Sequence, residues 1–206
     1  MASTATPYGM RPIGASGQSP FGANSVRQYR LTVDNSVAIY TYGIVVIAAG
    51  AINGASTAPA AGTLSANSPL GICLGVQYTD ATLKYTLNSQ YLPVNAITAG
   101  HTNILVSVYD DPNGLFMIQA NGIATQPDIG LNMDIATFTG STTTGLSTMA
   151  GNAAIATTNT FPLRVVDLVN QNSIFGGGLS APGDAYTDCI VRWNLNTHVW
   201  SFTTGQ

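Results

Sequence analysis

The sequence predicts an all-β protein: a β-barrel or β-sandwich domain over residues 26–206, preceded by an extended N-terminal arm over residues 1–25. Three observations carry this. Apolar residues recur at every second position, as at Tyr29, Leu31 and Val33 and again at Ile104, Val106 and Val108, which is the period of a half-buried strand. Glycine and proline, 22 and 10 of 206 residues, interrupt these segments where turns are needed. No segment sustains the 3.6-residue period of an amphipathic helix.

The arm, MASTATPYGMRPIGASGQSPFGANS, is rich in Ser, Gly, Pro and Ala, and its one charge is Arg11. Pro7, Pro12 and Pro20 oppose regular helix and ladder pairing. A free tail of this composition frays, whereas an arm laid on a neighbouring subunit is held. Arg11 brings a planar fork of donors suited to carboxylates or carbonyls of a partner.

From Val26 onward the elements follow in order. Residues 29–33 alternate as one strand. Residues 37–49, rich in Val, Ile and Tyr, read as one or two strands bent at Gly43. Residues 51–67 are small and read as a loop. Residues 70–78 and 85–92 are strand candidates. Residues 104–109 and 115–120 flank Asp110-Asp111-Pro112-Asn113-Gly114 and read as a hairpin with a five-residue loop. Residues 139–160 are uncharged and Thr-rich, a long loop or short edge strands. Residues 163–169 form a strand, 175–184 a Gly-rich loop, and 189–195 with 198–203 a last hairpin across Asn196-Thr197.

Charge is scarce. Asp, Glu, Lys and Arg make up 7% of the chain, against roughly 25% in ordinary domains. There is no Glu, and Lys84 is the single lysine. Residues 35–79 carry no charge at all. A surface of Ser, Thr, Asn, Gln and backbone suits permanent packing against other proteins, because few charges must be desolvated. This composition points to assembly into a closed oligomer. With a net charge of −3 and only Arg27 and Arg30 approaching a basic pair, nucleic acid is not a partner. The apolar run at residues 44–49 is too short to span a membrane, and residues 1–25 lack the basic start and apolar stretch of a secretory signal. The expectation is a chain made in the cytoplasm.

No constellation carries chemistry. Residues 110–114 lack the spacing and distal Glu of a calcium loop and read as a turn. Phe175-Gly176-Gly177-Gly178 is followed by no Gly-Lys-Ser/Thr, so it reads as a loop rather than a phosphate cradle. His101 and His198 sit at strand edges, without a GxSxG nucleophile motif or a metal-ligand cluster. Trp193, Trp200 and Tyr186 form either a sugar platform or, more simply, packing. Cys73 and Cys189 read as buried thiols, with a disulfide left open. The chain is therefore read as a non-enzyme without cofactor or metal.

The segments Pro7-Tyr8-Gly9-Met10-Arg11-Pro12, 108–116, 128–132 and 163–169, taken in that order, resemble those of a family of small virion proteins common in marine and cyanobacterial tailed phages. Pro7-Tyr8-Gly9-Met10-Arg11-Pro12 resembles that family's Pro-[Phe/Tyr]-Gly-Leu-Arg-Pro start, with Met10 in place of Leu. Val108-Tyr109-Asp110-Asp111-Pro112-Asn113-Gly114-Leu115-Phe116 resembles its mid-chain Asp-Asp-Pro turn. Asp128-Ile129-Gly130-Leu131-Asn132, residues 163–169 and the closing Ile190-Val191-Arg192, Asn194 and His198 follow in the same order. The uncharged loop at 139–160 departs from the pattern. The resemblance implies a capsid decoration or cement protein, a homotrimer on the outer surface of the major capsid protein shell, with the host bacterial cytoplasm as its site of synthesis. Pro7, Tyr8, Arg11 and Pro12 are the expected capsid-binding residues. The competing expectation is a tail or fibre component, or a receptor-binding β module.

Overall fold

The computed structural model describes residues 4–15, 26–48, 50–62, 64–65, 67–169 and 181–203. It is all-β, with no α-helix among the described residues, and hence no helix long and apolar enough to cross a membrane. Among the described residues fifteen strands follow in order: β1 (Arg11–Ala15), β2 (Val26–Arg30), β3 (Ile39–Tyr40), β4 (Ile44–Ala48), β5 (Ala51–Gly54), β6 (Pro69–Thr79), β7 (Thr86–Ser89), β8 (Tyr91–Leu92), β9 (Thr102–Tyr109), β10 (Gly114–Gln119), β11 (Asn132–Met133), β12 (Ile135–Thr137), β13 (Ala150–Gly151), β14 (Leu163–Leu168) and β15 (Asp188–Trp193).

Two antiparallel sheets organise the molecule. The five-stranded sheet runs β1-β10-β15-β14-β11. The six-stranded sheet runs β2-β9-β6-β4-β5, with β7 also paired to β6. Neither closes on itself among the described residues, so of the two architectures expected the sandwich type is the one that fits. One core lies between the sheets. Phe116, Ile118, Leu163, Val165, Val191 and Trp193 of the five-stranded sheet meet Ile44, Val46, Ile72 and Tyr109 of the other. Phe116 is its centre, edge-on to Tyr109 at 5.7 Å and to Trp193 at 5.5 Å, the geometry favoured by ring quadrupoles.

A second core covers the opposite face of the six-stranded sheet. Val45, Ile52, Cys73, Val76, Val106 and Val108 pack there beneath Ile39 of β3, Leu92 of β8, and Leu31 and Ala96 of the connecting segments. Fully buried Asn35 holds that cover in place. Its amide nitrogen donates to the carbonyls of Val37 at 2.9 Å and Pro93 at 2.8 Å, and its oxygen accepts from Ala96 N–H at 3.2 Å. A buried amide with both ends satisfied fixes two loops at once.

The structure departs from the sequence reading at several elements. Residues 104–109 and 115–120 are strands, but they do not form a hairpin. Instead β9 pairs with β2 and β6, and β10 with β1 and β15. The turn at residues 110–114 is therefore a corner that carries the chain from one sheet to the other. Tyr29 Oη donates to buried Asp110 at 2.6 Å, and Arg27 Nε lies 3.4 Å from the same carboxylate. Asp111 closes the turn by accepting from Asn113 N–H at 2.8 Å. At the neighbouring crossing of β6 and β9, a Cβ on Gly71 would collide with the Tyr109 carbonyl, so only glycine fits.

The expected last hairpin is absent too. After β15, Asn196 takes a positive φ of 53°, and residues 199–201 form a 3-10 turn in place of a strand. His198 Nδ1 caps that turn by accepting from Trp200 N–H at 3.3 Å. Of the segment read as a loop, residues 51–54 form β5 against β4. The alternation at 29–33 ends as a strand at Arg30, and Val33 is exposed. Residues 37–48 divide at Tyr42 and Gly43 into β3 and β4, as the sequence suggests. The Gly-rich segment at 175–180 lies outside the described residues.

Candidate functional site

The residues expected to dock the arm on a partner lie against the chain's own domain. Pro12 of β1 is opposite Phe116 of β10, and the register shifts between Pro12 and Gly14. Proline is tolerated here because β1 is an edge strand and carries a bulge. Met10 is fully buried in the inter-sheet core. Its N–H donates to the Tyr42 carbonyl at 2.8 Å. Tyr42 holds φ at 65°, uncommon for a bulky residue, and on Gly9 (φ 79°) a Cβ would strike that same carbonyl.

Side chains tie the segment down as well. Tyr8 Oη donates to Asp188 at 2.8 Å, and burial together with that carboxylate pushes the phenol well above its ordinary range. The Arg11 guanidinium lies 4.6 Å from the centre of the Tyr8 ring and 5.3 Å from that of Tyr42, a cation–π sandwich. Its fork, expected to meet a partner's carboxylates, is held by two aromatic rings of its own chain. Thr6 N–H donates to Gln119 at 2.8 Å, and Gln119 donates to the Thr4 carbonyl at 3.3 Å. Residues 8–15 of the expected arm therefore pack against the β domain. Residues 1–3 and 16–25 lie outside the described residues. Pro7 borders a mostly apolar cleft of about 260 Å³ beside Ala5, Ala120, Ala150 and Tyr186.

The other candidates separate. His101 accepts from Ala81 N–H at 3.2 Å and lies 3.6 Å from Asp80. Asp80 is held below the usual carboxylate range first by the N–H groups of Leu83 and Thr82, with His101 a smaller influence. His198 is fully buried, and burial pushes its pKa down to about 4, the Leu70 backbone opposing weakly. Trp193 is buried in the core and Trp200 is half exposed, so the two do not form a platform with Tyr186. Cys73 and Cys189 are free thiols in different cores, each pushed up to about 12, chiefly by burial. Among the described residues no group of three His, Cys, Asp or Glu side chains is placed to hold a metal ion.

A further concavity is one the sequence did not flag. A groove of about 420 Å³ crosses the six-stranded sheet and is bordered by Gln28, Gln77, Asn88, Gln90, Ser107 and Gly75. Four strands supply it. Gln28 of β2 is opposite Ser107 of β9, Ser107 is opposite Gly75 of β6, and Gln77 of β6 is opposite Asn88 of β7. Residues directly opposite in a ladder share a face, so these side chains project together. No motif announces such a set. The one signal available was polar residues at strand positions that a fully covered sheet would have made apolar.

The fold and these surfaces define a two-sheet β protein whose N-terminal strand is docked at a sheet edge. Comparisons with family models, curated proteins and solved structures find no match.

Proposed function

We propose that this protein is a structural subunit of a tailed-phage virion, a homotrimer that binds the outside of the major capsid protein shell and cements neighbouring capsomers. The observation that carries this reading is the scarcity of charge: six Lys and Arg and nine Asp in 206 residues. Two of those carboxylates, Asp110 and Asp188, are buried, which leaves fewer still at the surface. An exterior of hydroxyl, amide and backbone groups is desolvated at small cost when it is covered. The ordered series of segments from Pro7 to His198 that resembles virion decoration proteins supports the same reading.

The mechanism is mechanical. A subunit that grips several capsomers at once makes rupture depend on many contacts breaking together, and multivalency raises avidity without strong single contacts. Symmetric seats on a shell favour a closed oligomer.

The test compares complete virions with virions lacking this protein. The depleted particles should release DNA at lower temperature, and reconstructions of complete heads should show trimeric density outside the shell. Depleted particles that are equally heat-stable but fail to adsorb would replace this reading with a receptor-binding or tail role.

A further inference from the structure

We propose that the groove across the six-stranded sheet is a binding site for a neutral saccharide. The inference does not depend on the virion reading, because it rests on the geometry of the groove alone.

The floor is low because Ser107 and Gly75, opposite one another at the centre of the sheet, carry little or no side chain. The walls are long amides: Gln28 on one side, and Gln77, Asn88 and Gln90 on the other. Its volume of about 420 Å³ lies within the ~300–1,000 Å³ of small-molecule sites.

The polar side chains face solvent and are free to exchange water for a ligand. Among the described residues, the side chains of Gln28, Gln77, Asn88, Gln90 and Ser107 make no hydrogen bond within the chain, even though Gln77 and Asn88 are direct cross-strand neighbours. Each amide offers two donors and an acceptor, and the serine hydroxyl offers both. A ligand that satisfies such a set must present donors and acceptors closely interleaved, as adjacent sugar hydroxyls do.

The chemistry disfavours the other classes. No ionised side chain borders the groove, so it has nothing to prefer an anion or a cation. An apolar ligand would strand the amides. An extended peptide laid along the groove could not pair with β6, which is already bonded to β9 on one side and β7 on the other. What remains available is side-chain hydrogen bonding, with Leu74 at one end to meet the apolar face of a pyranose ring.

The experiment is saturation-transfer NMR followed by titration calorimetry of the full chain. The probes are neutral oligosaccharides of glucose, galactose, mannose and N-acetylglucosamine, each alongside its monosaccharide. At least one should bind with a dissociation constant of about a millimolar or tighter. Tighter binding of the oligosaccharide marks a surface glycan as the source, and equal binding marks a free sugar. Gln28→Ala combined with Gln77→Ala should weaken binding about tenfold with an unchanged melting temperature, and Asn88→Ala alone should weaken it less. The proposal is overturned if no neutral sugar binds, or if binding survives all three substitutions. It is equally overturned if these variants lose attachment to a protein partner while the wild type binds no sugar, since the groove would then be a protein contact.

Discussion

On the face of the six-stranded sheet that turns toward the five-stranded sheet, β6 and β9 bring Ile72 and Tyr109 into the buried core at one end, and half-buried Val26 of β2 packs against it. Further along, the same strands present Gln28, Gln77 and Ser107 to a groove. Backbone, pairing and side-chain direction do not change between the two ends. What changes is the cover: the five-stranded sheet lies over the first stretch and leaves the second open. Side-chain chemistry on this face follows what lies above it more closely than it follows strand propensity.

The comparison breaks most easily at the covered end. Phe116→Ala should remove about 3–5 kcal/mol of stability, as large-to-small changes at fully buried aromatics do. Denaturant unfolding measures it, and a loss below about 1 kcal/mol would mean that the two sheets are not held by this core. Acid probes the neighbourhood of Trp193, whose ring centre is 6.0 Å from that of His198. His198 has its pKa lowered to about 4 by burial, so the folded state favours the neutral ring. Its contribution is full above the ordinary histidine value near 6.5 and is lost as pH falls toward 4, on the order of 3 kcal/mol in all. His198→Asn keeps an acceptor for Trp200 N–H and should flatten the pH dependence of stability across that window.

Smaller effects sharpen the contrast. Asn35→Ala removes the three hydrogen bonds that hold the loops over the second core and should cost about 1–3 kcal/mol. Hydrogen exchange would then rise at Ala96 first, because its N–H loses its acceptor. At the open end, Gln77→Ala should change the unfolding free energy by no more than about 0.5 kcal/mol. A larger loss there would show that the groove wall is structural.

Much of the fold was legible where one strand carried its own signal. The alternation of Ile104, Val106 and Val108 marks β9 because one face of it lies under the second core. β5 was missed because Ala51-Ile52-Asn53-Gly54 has little strand propensity of its own and is a strand only through β4. The corner at residues 110–114 was read as a hairpin because turn residues report that the chain changes direction, not which sheet receives it. Pro12 hid β1, since a proline at a bulge on an edge strand looks the same in sequence as one in a loose tail. For the expected docking residues, sequence gave the residue types, but the partners of Tyr8 and Arg11, namely Asp188 and Tyr42, lie too far along the chain to be inferred. The groove was illegible for the same reason, being assembled from residues 28, 75–77, 88–90 and 107.

The corner at residues 110–114 also orders events during synthesis. Every strand of the six-stranded sheet lies between residues 26 and 109, whereas the five-stranded sheet draws β1 from residues 11–15 and its other strands from 114–193. A ribosome extending the chain from the N-terminus delivers the first sheet whole before β10, the ladder partner of β1, exists. During that interval the part of the core that Met10 shares with β10, β14 and β15 is missing, and Ile44, Val46 and Ile72 lack their cover. The nascent chain is most adhesive in this window, and β1 is released from it only when β10 emerges.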